Sequence, residues 1–99
     1  MHSHKRRILI IDGDAHSLIG FKSVIEALSD DTPIDTTNDG QWALELASQG
    51  LDKGHIYSLI FVDVQIKPMS AQLFAAETRK LYKDHPTPHI VAVTNLIEH

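Results

Sequence analysis

Tyr57-Ser58-Leu59-Ile60-Phe61-Val62-Asp63 decides how this chain folds. Apart from Ser58 the run is aromatic or aliphatic until it closes on a carboxylate, and a strand with so little polar alternation is one buried on both faces of a parallel sheet. Two flanking stretches share that character. Arg7-Ile8-Leu9-Ile10-Ile11 runs into Asp12-Gly13-Asp14, and His89-Ile90-Val91-Ala92-Val93 runs into Thr94-Asn95. A fourth stretch, Ile34-Asp35-Thr36-Thr37, is short and polar and suits a sheet edge.

The intervening segments have helical periodicity. From Ala15 to Leu28 the residues Leu18, Phe21, Val24, Ile25 and Leu28 recur at spacings of three and four, with Asp14 as a natural N-cap, and Ser29-Asp30-Asp31-Thr32-Pro33 breaks the helix. Asn38-Asp39-Gly40 signals a turn into a helix over Gln41 to Ser48, with Ala43, Leu44 and Ala47 on one face and Gly50 and Gly54 bracketing its exit. Lys67-Pro68 places a loop. Ser70 to Lys83 reads as a third helix packed through Leu73, Phe74 and Leu81, ended by Pro86-Thr87-Pro88.

The order βαβαβαβ implies an α/β fold with a doubly wound parallel sheet and right-handed crossovers. At 99 residues and 42% apolar composition, the reading is one domain over 1–99, with a core from 7 to 95 and residues 1–6 as a tail. No apolar run approaches the roughly 18 residues needed to span a bilayer, so the expectation is a cytoplasmic protein without membrane contact. The absence of cysteine excludes disulfides, thiolate metal sites and cysteine nucleophiles. A formal charge of −4, with Lys5-Arg6-Arg7 as the one basic cluster, argues against direct nucleic-acid binding.

In doubly wound sheets, ligands bind beyond the carboxyl ends of the strands. Those ends carry Asp12, Gly13 and Asp14 after the first strand, Asp63 after the third, and Thr94 and Asn95 after the fourth. Taken singly, each has a plain structural role as a helix cap, strand end or loop start. Together they predict three converging carboxylates and a hydroxyl, an arrangement whose repulsion calls for a cation. Mg²⁺ suits it, since that ion takes one or two carboxylates, a carbonyl, waters and a phosphoryl oxygen. The implied chemistry is attack of an aspartate on a phosphoryl donor to give an acyl phosphate. No histidine belongs to the set, which argues against a hydrolase triad.

The residues Ile8–Asp14, Thr36–Ala47, Tyr57–Gln65 and Pro88–Thr94 together resemble a response-regulator receiver domain of two-component signalling. The resemblance implies a flavodoxin-like receiver fold with strand order 2-1-3-4. It makes Asp63 the phosphoacceptor for a histidine kinase or phosphotransfer protein, and Thr94 the hydroxyl that hydrogen-bonds the phosphoryl group and switches with it. The Mg²⁺ ligands it implies are Asp12, Asp63 and the carbonyl of Gln65.

Departures from the family pattern are equally plain. Gly13 stands where a second acidic residue is usual, with Asp14 as a substitute, and Ile66-Lys67-Pro68 and Ser70-Ala71 replace the usual steps after the phosphoacceptor. The family's fifth strand, its phosphate-contacting lysine and its last two helices have no counterpart. From these departures come a weak Mg²⁺ site and self-association through the edge of the fourth strand. They also keep open a degenerate receiver that acts as a phosphorylation-independent interaction module. A remoter reading sees Ile10-Ile11-Asp12-Gly13-Asp14 as the nucleophile motif of haloacid-dehalogenase-type phosphatases, with Asp12 as nucleophile. Ala15-His16 in place of Gly-Thr opposes it. Outside that reading the expectation is a domain that is not an enzyme and at most phosphorylates and dephosphorylates itself.

Overall fold

A computed structural model of the chain describes residues 6–28 and 31–94. Its elements are β1 (Arg6–Ile11), α1 (Ala15–Leu28), β2 (Ile34–Thr37), α2 (Gly40–Lys53), β3 (Ile56–Asp63), α3 (Ala71–Leu81) and β4 (His89–Val93). The four strands form one parallel sheet, as the strand–helix pattern predicts, in the order β2-β1-β3-β4 that the resemblance implies. The N-terminal tail up to Lys5, Ser29-Asp30 of the first helix break, and Asn95 lie outside the described residues.

Pleating sends alternate residues of each strand to opposite faces, and the two faces differ. On one, Leu9 and Ile11 of β1 and Ile60 and Val62 of β3 meet Ala43 and Ala47 of α2 and Phe74 of α3; Tyr82, just after α3, is also fully buried there. On the other, α1 is the one helix among the described residues, with Phe21 edge-on to Phe61 at 4.8 Å between ring centroids.

Two helices differ from their predicted extents. α2 runs five residues past Ser48 to Lys53, because Gly50 continues the helix and Gly54, at φ 79°, ends it in the left-handed region open to glycine. α3 begins at Ala71 with Ser70 as its N-cap, the Ser70 hydroxyl accepting the Leu73 N–H at 3.0 Å, and stops at Leu81. Leu73 points to solvent at 49% exposure, so the buried stripe of α3 is Phe74 and Thr78. The stripe expected to bury α1 is also not fully covered. None of its residues is buried, since β1 to β3 underlie only one side of the helix.

Candidate phosphoacceptor site

Strand register builds the site. β1 pairs with β3 so that Ile11 is level with Val62, which sets the next residues, Asp12 and Asp63, side by side at the sheet rim. Asp63 in turn is level with Val93, and Thr94 follows at once. The pairing continues one step beyond the strands, where the Val64 N–H donates to the Val93 carbonyl at 3.0 Å.

Local turns fix the side chains. The Asp12 N–H donates to the Thr37 carbonyl at 3.1 Å, and its Oδ1 accepts the Asp14 N–H at 2.9 Å. Asp63 makes the same kind of turn, its Oδ1 accepting the Gln65 N–H at 3.0 Å. Both carboxylates therefore keep one oxygen on backbone and leave the other for the cleft.

Asp14 takes a different role. Its Oδ1 accepts the His16 N–H at 3.0 Å and its Oδ2 the Ser17 hydroxyl at 3.3 Å, so this carboxylate caps α1. Among the described residues no group of three or more His, Asp or Glu side chains is gathered to hold a metal. The expected convergence of three carboxylates thus reduces to two.

Burial pushes the Asp12 carboxyl above its ordinary value of 3.8, and the neighbouring Asp63 charge pushes the same way, against the Asp14 N–H, which pulls it down. Two acids in this relation favour a cation between them. Mg²⁺ commonly takes one or two carboxylates with a backbone carbonyl and keeps several waters, and of the expected donors Asp12 and Asp63 stand side by side at the rim. Gly13 leaves the adjacent position open, because a Cβ built there would meet nothing within 4 Å.

The acidic pair opens into a cleft of about 270 Å³. Asp12, Asp63 and Thr94 form its polar end, together with His16 and Ser17 from the first turn of α1. The site is accordingly not free of histidine, but the Ser17 hydroxyl is bonded to Asp14, so no serine–histidine relay is formed. His16 escaped the sequence reading because it stands alone in the chain, and only the turn after β1 brings it back to the rim.

No family model matches the chain, and no curated protein matches it by sequence. Solved structures do. The receiver domain of the histidine kinase CKI1 from Arabidopsis thaliana, complexed with Mg²⁺ and BeF₃⁻, superposes with a TM-score of 0.81 at 24% identity, covering 96% of this chain and 68% of that one. The same domain complexed with Mg²⁺ gives 0.80 at 22% identity, covering 94% and 70%. The fold is therefore the flavodoxin-like α/β fold of receiver domains, with the four strands in order 2-1-3-4. Among the described residues no helix is long and apolar enough to cross a membrane.

Proposed function

We propose that the chain is a phosphoacceptor receiver domain in two-component signal transduction, with Asp63 accepting a phosphoryl group from a histidine kinase or phosphotransfer protein. The observation that carries this reading is the placement of Asp63 beside Asp12, at the mouth of a cleft that Thr94 also lines. The cleft leaves a donor room to approach, and neither carboxylate is tied up by a described arginine or lysine.

In the reaction the carboxylate oxygen of Asp63 attacks phosphorus, the donor's P–N bond breaks, and an acyl phosphate forms. Asp12, Asp63 and the Gln65 carbonyl would hold Mg²⁺, which when bound offsets the charge of the phosphoryl oxygens. Asp12 would hold the cation beside the nucleophile. The Thr94 hydroxyl donates a hydrogen bond to the new phosphoryl group, and its movement toward that group is the switch. The Asp63 turn, held by the Gln65 N–H, keeps the nucleophile aimed at the rim.

The structures of the CKI1 receiver domain with Mg²⁺ support this cofactor assignment. Gly13 and the capping role of Asp14 leave one carboxylate fewer for the metal, which favours weak binding and gives weight to the second reading, a receiver-fold interaction module that carries no phosphate. Incubation with acetyl phosphate and Mg²⁺ followed by intact-mass measurement separates the two. A phosphoryl adduct on the native chain and none on Asp63→Asn is expected. An unmodified native chain would leave the interaction module as the function.

A further inference from the structure

The ends of both acid-bearing strands lead to the first turn of α2. From β1, the Asp12 N–H donates to the Thr37 carbonyl, the Thr37 hydroxyl oxygen accepts the Asp39 N–H at 3.2 Å, and the Asp39 carboxylate caps α2 by accepting the Gln41 N–H at 2.9 Å. From β3 the chain turns at Asp63, where Oδ1 accepts the Gln65 N–H and the backbone carbonyl accepts the Ile66 N–H at 3.2 Å. That turn delivers the buried Ile66, which together with Met69 lies against Gly40, the first residue of α2. A Cβ on Gly40 would stand 3.3 Å from the Met69 sulfur and 3.4 Å from the Ile66 Cδ1, so the seam is closed.

The two supports differ in one respect. The first runs through the Asp12 backbone and the Thr37 and Asp39 side chains, none of which changes charge when Asp63 does. The second hangs on a hydrogen bond to the Asp63 carboxylate itself. A bond to an ionised acceptor is roughly twice as strong as one to a neutral carbonyl. When the second carboxylate oxygen of Asp63 attacks phosphorus, a P–O bond forms and the donor's bond to phosphorus breaks, its electron pair leaving with the donor. Oδ1 is then the neutral carbonyl oxygen of an acyl phosphate. The negative charge has moved out to the phosphoryl oxygens, which compete for the Gln65 N–H.

We propose that the first turn of α2 senses the charge on Asp63. Loss of that charge on phosphorylation slackens the turn at Asp63, eases Ile66 and Met69 off Gly40 and loosens residues Gly40 to Ala43, while the support from β1 keeps the rest of the helix in place. Trp42 stands in that turn at 49% exposure, so the state of the site is displayed on the surface as the setting of one large side chain. The route lies on the face of the sheet opposite α1 and is separate from the Thr94 hydroxyl at the end of β4. Its phosphoryl arm rests on Asp63 being the phosphoacceptor, but the charge can also be removed without phosphate.

Hydrogen exchange read amide by amide tests this. Asp63→Asn keeps a carbonyl acceptor of the same size and loses the charge. Without metal or donor it is expected to speed exchange from Gln41 to Ala43 about threefold and to leave the β1 amides no faster, since relief of repulsion at the rim does not weaken the sheet. Met69→Ala opens the seam with Asp63 and its turn intact. It is expected to show the faster first turn already, and to gain little when Asp63→Asn is added. In the native chain, acetyl phosphate with Mg²⁺ is expected to give at least the same acceleration relative to Mg²⁺ alone, in step with the adduct measured by intact mass. An unchanged first turn in Asp63→Asn overturns the proposal, as does an acceleration shared by β1, an adduct that leaves the turn unchanged, or full additivity with Met69→Ala. An accelerated first turn in Asp63→Asn with no adduct on the native chain would instead remove the phosphoacceptor reading and leave charge sensing by α2 standing.

Discussion

At the scale of single residues, the pair Asp12 and Asp63 gives the site both its chemistry and its instability. A raised carboxyl pKa in the folded state means that the fold holds a proton more tightly than the unfolded chain does. The associated stability is present below the ordinary carboxylate range and is lost as pH rises through the folded value of Asp12. Asp63→Asn removes the repulsion but leaves the burial, so it is expected to raise metal-free stability at neutral pH by an amount on the order of 1 kcal/mol or less, and to flatten this loss. Urea titrations on either side of the carboxylate range check both. Equal stabilities for the two proteins would mean that the charges do not interact. Gly13→Asp makes the complementary change. The open surface there accepts a side chain, so Mg²⁺ affinity by calorimetry is expected to rise about tenfold, while metal-free stability falls.

At the scale of elements, the polar strand β2 is anchored by side chains from β1 and, one strand further, from β3. Arg7 on β1 reaches Asp35 with two hydrogen bonds, 3.2 and 3.1 Å, and the Tyr57 hydroxyl on β3 donates to the same carboxylate. Burial works to raise Asp35, but these bonds and the Arg7 charge hold it below its ordinary value, while burial and Asp35 push Tyr57 up. A depressed acid contributes stability at neutral pH that disappears as pH falls through its folded value. Asp35→Ala, which also strands the guanidinium and the hydroxyl, is expected to cost about 1–3 kcal/mol at neutral pH and much less in acid. An equal cost at both pH values would assign the role to packing alone. At the exit of α2, Gly50→Ala would place a Cβ 2.3 Å from the backbone oxygen of His55, which itself closes the helix by donating its N–H to the Gly50 carbonyl. A loss of about 1–3 kcal/mol in thermal or urea unfolding is expected. The apolar strands, the edge character of β2 and the cap at Asp14 were legible because each rests on local pattern. The length of α2 was not, since Gly50 reads as a helix exit although it lies in the last turns, where the His55 N–H closes the helix onto its carbonyl. Leu73 misled for another reason: helical spacing alone does not tell which side of α3 meets α2.

At the scale of the whole molecule, the parallel sheet brings the ends of β1, β3 and β4 to one rim, and that much followed from an alternating strand–helix pattern, whereas the strand order 2-1-3-4 came from the resemblance. Which carboxylates would meet there did not follow, because the cap geometry that turns Asp14 onto α1 competes with the rim for the same side chain. The cleft beside α1 was hidden from sequence as well, since periodicity shows an apolar helix but not how it sits on the sheet. The central claim is that this rim carries phosphate on Asp63. It is tested most directly by phosphorylating the chain with acetyl phosphate and Mg²⁺, trapping the acyl phosphate by borohydride reduction, and mapping the reduced residue. Reduction at Asp63 alone is the predicted result; reduction at Asp12, as a dehalogenase-type nucleophile would give, or no reduced aspartate at all, would contradict it.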